Sequence, residues 1–181
     1  MKILLFGVSN VGKSITGELL AHRLGYDFYD LDEEIKKHCN TTLEDFVSTG
    51  TLRERDQIRC DLINSLIDRK GDKVIAVTPL SYIQTIQPLL SSTGIFSIEL
   101  IDTAQNIFDR LVFSDENDNV YKDDDYKNEH KDYYLSEISE DLEWYGSIYA
   151  DIKHKFHISG RLPENVVDAM IMEYHLDREE A

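Results

Sequence analysis

A glycine-containing segment near the start of the chain carries the residue types that bind phosphate. Residues 7–14 read G-x-x-x-x-G-K-S, between the apolar run 3–6 and a helical apolar pattern that begins at Ile15. Glycine lets such a loop turn its backbone N–H groups inward, and the N-terminus of the next helix attracts anions. The spacing therefore predicts a polyphosphate-binding loop. Its predicted ligand-binding residues are Gly7, Asn10, Val11, Gly12, Lys13, Ser14 and Ile15.

Two side chains of this loop are expected to act on bound phosphates. Lys13 can reach the β- and γ-phosphates of a nucleotide, and the Ser14 hydroxyl is placed to bind Mg²⁺. The motif also occurs by chance, but here a predicted strand precedes it and a predicted helix follows it, as a phosphate site requires. The alternative is a strand-to-helix turn without a ligand.

A pair of carboxylates ends the next predicted strand, residues 26–29. Asp30 and Asp32 follow it, at the edge of a parallel sheet where ligands bind. Two carboxylates one residue apart can divide their roles, one facing a metal ion and the other a substrate hydroxyl. The alternative is that Asp32 only caps a short helix from Glu33 to His38.

The elements that must position these residues alternate between strand and helix, which favours a doubly wound parallel sheet. We predict an α/β protein with three α/β/α layers around a five-stranded parallel sheet. The predicted strands are residues 3–6, 26–29, 73–77, 95–100 and 155–158. Apolar spacing predicts helices at about 12–24, 33–38, 41–49, 52–67, 80–90, 144–152 and from 164 onward.

Composition excludes several classes of protein. The 181 residues fit a single domain over 1–181, and no apolar run approaches the roughly 20 residues that span a bilayer. With 19 Lys and Arg against 35 Asp and Glu, the net charge of −16 opposes binding to nucleic acid or anionic membranes. Cys39 and Cys60 lack metal-ligand spacing, so we expect reduced thiols and a cytoplasmic location.

One segment is unusually acidic. Residues 115–143 contain 12 Asp or Glu and three Lys, with few aliphatic residues before Leu135. We interpret about 112–135 as a mobile lid over bound phosphates. The alternative is a disordered acidic loop without a catalytic role.

With the loop, the Asp30-Leu31-Asp32 pair, the segment 50–56 and the closing strand-turn-helix in this order, the chain resembles the shikimate kinase family. The resemblance implies a P-loop NTPase fold of the shikimate kinase and nucleoside monophosphate kinase type, with a substrate-binding helical region at about 31–65. It implies ATP and Mg²⁺ as cofactors and phosphoryl transfer to a hydroxyl of a small molecule. A monomer or weak homodimer is expected.

The resemblance also implies roles for single residues. Asp30 would hold Mg²⁺, usually through water, and Asp32 would contact the substrate hydroxyl and orient or deprotonate it. Arg53 would clamp a substrate carboxylate. For Arg53 the alternative is a surface residue in an ion pair.

Two further arginines complete the implied site. Arg110 resembles the basic lid residue that faces the transferring phosphoryl group, so the implied catalytic residues are Lys13, Asp32 and Arg110. Arg161 falls where some family members place an arginine against the adenine ring. For Arg161 an exposed turn residue is the alternative.

The chain departs from the family pattern around the substrate. Residues 76–80 replace a Gly-rich loop, no second lid arginine follows Phe113, and Tyr145 stands where a substrate-binding arginine is expected. Shikimate is therefore the expected acceptor by resemblance only. Two alternatives stay open: a kinase of another hydroxy acid, polyol or nucleoside, and a nucleotide-binding regulatory protein with weak or no activity.

Overall fold

A central sheet of parallel strands organises the chain in a computed structural model, which describes residues 1–177. The strands are β1 (Lys2–Phe6), β2 (Asp27–Asp30), β3 (Lys73–Ala76), β4 (Ile95–Ile101), β5 (Phe113–Ser114), β6 (Val120–Tyr121) and β7 (His154–His157). The helices are α1 (Lys13–Leu24), α2 (Leu31–Cys39), α3 (Leu43–Ser48), α4 (Leu52–Asp68), α5 (Ile83–Leu90), α6 (Ala104–Arg110), α7 (Asp124–Glu129), α8 (Lys131–Ile148) and α9 (Pro163–Tyr174).

The order of the five central strands is β2-β3-β1-β4-β7, and all neighbours are parallel. Residues 3–6 of β1 are fully buried, because a parallel sheet is covered on both faces and its central strands read as continuous apolar runs. One apolar cluster packs α1 and α9 on one face, and a second packs α2, α4 and α5 on the other. The predicted three-layer fold with a five-stranded parallel sheet is confirmed.

The connection after β3 is held extended by a buried carboxylate. The Oδ2 atom of Asp56 accepts hydrogen bonds from the N–H groups of Ser81 (2.7 Å) and Tyr82 (3.2 Å). The Tyr149 hydroxyl accepts one from the N–H of Leu80 at 3.2 Å. Helix α5 therefore begins at Ile83, three residues later than the predicted start at residue 80.

The predicted lid, 112–135, contains regular structure. Strands β5 and β6 form an antiparallel hairpin, followed by α7 and the first turns of α8. The Phe113 ring lies 5.8 Å from the rings of Tyr121, Tyr126 and Tyr134. These aromatic contacts give the segment a small apolar centre despite its charge. Helix α8 begins at Lys131, earlier than the predicted start near Trp144. The mobility of this lid stays a prediction.

Within residues 1–177, no helix is both long enough and apolar enough to cross a membrane.

Candidate active site

The predicted phosphate loop joins β1 to α1 and has the backbone conformation that its glycines permit. Gly7 has φ 140° and Gly12 has φ 107°, values that side chains rarely tolerate. A Cβ atom at Gly7 would lie 2.6 Å from the carbonyl oxygen of Leu100, so only glycine fits there. No side chain caps α1, and the N–H groups of its first turn are therefore available to an anion.

Lys13 lies across this loop. Its Nζ atom donates hydrogen bonds to the carbonyl oxygens of Gly7 (2.9 Å) and Val8 (2.8 Å). Burial lowers the pKa of Lys13 from 10.5 to about 8, against the opposing attraction of Asp32 and Asp30. The ammonium group is thus poorly solvated and close to two carboxylates, a setting in which phosphate oxygens are strong alternative partners.

A cavity of about 760 Å³ opens in front of the loop and the carboxyl ends of β2 and β3. The predicted site residues that line it are Asn10, Gly12, Lys13, Ser14, Ile15, Asp30, Asp32 and Arg110. We call two parts of this cavity the loop end and the α2 end. The loop end is lined by Lys13, Ser14 and Arg110. The α2 end is lined by Asp32, Glu33, Lys36, Thr78 and Asp118.

The two predicted carboxylates play different structural parts. Asp30 is the N-cap of α2, and its Oδ1 atom accepts a hydrogen bond from the N–H of Asp32 at 2.9 Å. The alternative in which Asp32 caps this helix is therefore wrong, because Asp32 already lies in the first turn. The Thr78 hydroxyl instead donates a hydrogen bond of 2.5 Å to Oδ1 of Asp32.

The surroundings of Asp32 make its carboxylate more basic. Burial raises the pKa of Asp32, and the negative charge of Asp30 adds to the rise. The hydrogen bond from Thr78 and the positive charge of Lys13 oppose it. A carboxylate that is held in one orientation and has a raised pKa can accept a proton from a hydroxyl more readily than a solvated aspartate.

Oxygen ligands suited to Mg²⁺ also line the cavity. The Ser14 hydroxyl and the Asp30 carboxylate line the cavity beside Lys13. Among residues 1–177, no group of three or more His, Cys, Asp or Glu side chains could hold a metal ion alone. The donor set therefore fits a hard cation that is shared with phosphate oxygens, as Mg²⁺ usually is.

Arg110 is anchored to the outside of the phosphate loop. Its Nη2 atom lies 2.8 Å from Oδ2 of Asp102 and 3.4 Å from the carbonyl oxygen of Val11. Burial alone would raise the pKa of Asp102, but hydrogen bonds from Asn106 and Arg110 outweigh it and lower that pKa. Arg110 is the last residue of α6 and lines the cavity. The lid hairpin follows α6 in the chain. Sequence reasoning missed Asp102, although it directly follows a buried strand.

Four predicted site residues are outside the cavity lining: Gly7 and Val11, which belong to the phosphate loop itself, and Arg53 and Arg161. Arg53 is exposed in the first turn of α4. Arg161 is also exposed, and its guanidinium lies 4.9 Å from the Phe156 ring centroid and donates to the carbonyl oxygen of Ile158 at 2.8 Å. Neither Arg53 nor Arg161 lines the cavity, so their roles in binding substrate and adenine stay predictions.

Several residues that sequence reasoning did not select also line the cavity. Thr78 follows β3, and its place at the carboxyl end of a buried strand could have been used to find it. Lys36 and Glu33 lie one turn apart on α2 and form an ion pair of 2.6 Å. Asp118 of the lid hairpin accepts a hydrogen bond from the N–H of Leu43 at 2.9 Å, which joins the lid to the start of α3. No local sequence signal predicts that last contact.

Comparison with known proteins identifies the family of the chain. The sequence model of the family described as "Shikimate kinase" matches residues 9–172. The chain belongs to the shikimate kinase family. A shikimate kinase of Chlorobium phaeobacteroides is 41% identical over 69 residues, which cover 38% of this chain and 34% of that protein. Aligned segments span from 5% to 44% of the curated relatives that the chain matches, so their activities come to this chain only as a proposal.

Solved structures of the shikimate kinase family share the fold over nearly the whole chain. The enzyme of Bacteroides thetaiotaomicron has a TM-score of 0.77 at 18% identity, covering 97% of this chain and 99% of that one. The shikimate kinase of Acinetobacter baumannii in complex with shikimate has a TM-score of 0.71 at 20% identity, covering 99% and 95%. At these identities the likeness shows the fold alone.

Proposed function

We propose that the chain is an ATP- and Mg²⁺-dependent kinase that transfers the γ-phosphoryl group of ATP to a hydroxyl of a small molecule. One observation carries the proposal: Lys13 of the phosphate loop and the oriented carboxylate of Asp32 line the same cavity. A phosphate-binding cation and a candidate base that line one cavity are what phosphoryl transfer to a hydroxyl requires.

Each side chain then has a defined part. Ser14 and Asp30 would hold Mg²⁺, which neutralises phosphate charge when it is bound. Lys13 leaves the loop carbonyls to contact the phosphates, and Arg110 adds a second positive charge at the loop end. Asp32 orients the acceptor hydroxyl and takes its proton. Family membership supports shikimate as the first acceptor to assay, and the free thiols of Cys39 and Cys60 support a cytoplasmic location.

A second candidate is a nucleotide-binding regulatory protein without turnover. Tyr145 favours it, because this phenol occupies the position where a substrate-binding arginine is expected by resemblance. The two candidates differ in one measurable property. Both bind Mg·ATP, but only the kinase converts it to ADP together with a phosphorylated acceptor.

Asp32→Asn tests the proposal. We expect turnover to fall by roughly 10²-fold, because a general base is lost, while Mg·ATP affinity measured by calorimetry stays within about twofold. Asp151→Asn, an exposed aspartate outside the cavity, is the matched control. Product is detected as ADP and as phosphorylated acceptor by mass spectrometry. Mg·ATP binding without any phosphorylated product across shikimate, other hydroxy acids, polyols and nucleosides would support the regulatory candidate instead.

A further inference from the structure

The two oxygens of the Asp32 carboxylate have different surroundings. Oδ1 lies 2.5 Å from the Thr78 hydroxyl, and an ionised carboxylate only accepts hydrogen bonds, so Thr78 is the donor. Within residues 1–177, no other side chain or backbone N–H group donates a hydrogen bond to this carboxylate. Oδ2 is therefore left to accept a hydrogen bond from a ligand in the cavity that Asp32 lines.

The chain on both sides of Thr78 is fixed. The N–H of Val77 donates to the carbonyl oxygen of Leu5 at 2.9 Å, and the N–H of Leu80 donates to the Tyr149 hydroxyl at 3.2 Å. Both Val77 and Leu80 are fully buried. The backbone of Thr78 is therefore held between two anchored neighbours.

The residue types at this position restrict the hydroxyl further. Pro79 biases the residue before it, Thr78, toward extended backbone. Threonine is branched at Cβ, so its χ1 angle has few allowed values. Asp32 is held from its own side, because its N–H donates to Oδ1 of Asp30 in the first turn of α2. Both partners of the hydrogen bond thus have a restricted geometry before any ligand binds.

The groups around Asp32 act on its protonation in opposite directions. Burial and the charge of Asp30 raise its pKa, whereas Thr78, Lys13 and Arg59 lower it. Of the groups that lower this pKa, Thr78 contributes most, and it thereby favours the ionised form, which can take a proton. The other charged side chains that line the cavity are Glu33, Lys36, Arg110 and Asp118.

We propose that Thr78 is a positioning residue, whose hydroxyl holds Oδ1 of Asp32 and leaves Oδ2 to receive the acceptor hydroxyl. The proposal rests on the proposed kinase function, and it deepens that function by assigning the carboxylate oxygen that reacts. In the transfer the acceptor O–H bond breaks, its proton goes to Oδ2, and the acceptor oxygen forms a bond to the γ-phosphorus. The bond from that phosphorus to the oxygen shared with the β-phosphate breaks, and its electron pair leaves with ADP.

Thr78→Val tests the proposal, because it removes the hydroxyl and keeps the branched shape of the side chain. The acceptor is the one that the panel of shikimate, other hydroxy acids, polyols and nucleosides identifies. At saturating Mg·ATP we expect kcat to fall by roughly tenfold or more, because the base loses its orientation, while the KM of the acceptor changes by less than about threefold. Thr78→Ser keeps a hydroxyl and should hold kcat within about threefold of the parent value.

Thr85→Val is the matched control. Thr85 is also partly buried, and its hydroxyl donates to the carbonyl oxygen of Tyr82 at 2.6 Å, outside the cavity lining. Its kcat should equal that of the parent. An unchanged kcat in Thr78→Val, or a loss that Thr78→Ser shares, would overturn the proposal.

The pH dependence separates positioning from a loss of stability. Loss of the hydrogen bond raises the pKa of Asp32, so the acid limb of kcat/KM should move to higher pH in Thr78→Val. The limb should keep its parent position in Thr78→Ser and Thr85→Val. A protein that is only destabilised loses activity without moving this limb, so a fall in kcat with an unmoved limb would overturn the proposal.

A double-mutant cycle tests whether the effect of Thr78 passes through Asp32. In the Asp32→Asn background, Thr78→Val should change kcat by less than about twofold, because no base remains to be oriented. Equal fold losses in the two backgrounds would show that Thr78 acts on another group, against the proposal.

Carbon-13 NMR separates failure of this proposal from failure of the kinase proposal. If the parent protein phosphorylates no acceptor of the panel, the kinase proposal fails. Titration of the Asp32 carboxyl carbon, assigned with Asp32→Asn, still measures the contact itself. A higher pKa of Asp32 in Thr78→Val than in the parent and Thr78→Ser supports the role of Thr78, and equal pKa values in the three proteins overturn it.

Discussion

The two ends of the cavity are built in different ways. At the loop end, backbone geometry forms the site, because Gly7 and Gly12 set the path of the loop and α1 supplies its N-terminus. At the α2 end, side chains from α2, the connection after β3 and the lid hairpin meet across long sequence separations. A backbone site allows few substitutions, whereas a side-chain site can change its ligand without changing the fold.

The α2 end also depends on a buried scaffold that the loop end does not need. Asp56 pairs with Arg59 and accepts hydrogen bonds from the N–H groups of Ser81 and Tyr82. This network holds the connection that carries Thr78. A change of ligand at this end can therefore arise from residues that never contact the ligand.

Lys13→Ala is expected to have the largest effect on turnover and to change only the loop end of the cavity. Loss of the ammonium group removes charge stabilisation of the transferring phosphoryl group, so turnover should fall by roughly 10³-fold. Steady-state ADP release measures this, and circular dichroism checks that the fold persists. Lys153→Ala, an exposed lysine outside the cavity, is the control. Unchanged turnover in Lys13→Ala would show that the loop does not hold the reacting phosphate.

Asp56→Ala is expected to remove the buried hydrogen-bond network that supports the α2 end. It leaves Arg59 buried without its partner and removes the acceptor of two backbone N–H groups, so the free energy of unfolding should fall by about 3–5 kcal/mol. Urea denaturation followed by fluorescence measures the change. Asp168→Ala is the matched control, because Asp168 pairs with Arg23 at 2.7 Å while both side chains are more than half exposed. For that pair about 0–1 kcal/mol is expected, and equal losses in the two variants would contradict the scaffold role.

The pKa of Lys13 predicts a pH dependence that belongs to the loop end. Below about pH 8 the unliganded side chain is charged and ready for phosphate, and above it the amine is neutral. Bound phosphate keeps the amine protonated, so binding above pH 8 takes up a proton. We expect Mg·ATP affinity to be about tenfold weaker at pH 9 than at pH 7.

Calorimetry in two buffers of different ionisation enthalpy measures this proton uptake directly. Uptake should approach one proton per nucleotide at pH 9 and be near zero at pH 7. Lys13→Arg is the control, because a guanidinium stays charged over this range and its nucleotide affinity should not change with pH. Equal affinity of the parent protein at both pH values would show that Lys13 does not titrate on binding.

Sequence patterns predicted the loop end better than the α2 end for a physical reason. The strands of the parallel sheet follow from apolar runs that are buried on both faces, and the phosphate loop is specified within eight residues. Helix α5 begins later than predicted because the Asp56 carboxylate accepts hydrogen bonds from the N–H groups of Ser81 and Tyr82, which lie 25 and 26 residues away in the chain. Charge counts over the lid gave no sign of the aromatic cluster around Phe113, since its members are spread along the chain.

The role of Arg53 stays a prediction, and its variant has the smallest expected effect. Its side chain is exposed and outside the cavity lining, so Arg53→Ala should raise the KM of the acceptor by less than about fivefold. A bidentate clamp on a substrate carboxylate would instead cost at least about 2 kcal/mol, roughly 30-fold in affinity. Arg23→Ala, which removes an exposed arginine on α1, gives the baseline. A rise of 30-fold or more with shikimate would show that Arg53 contacts the carboxylate of the bound acceptor.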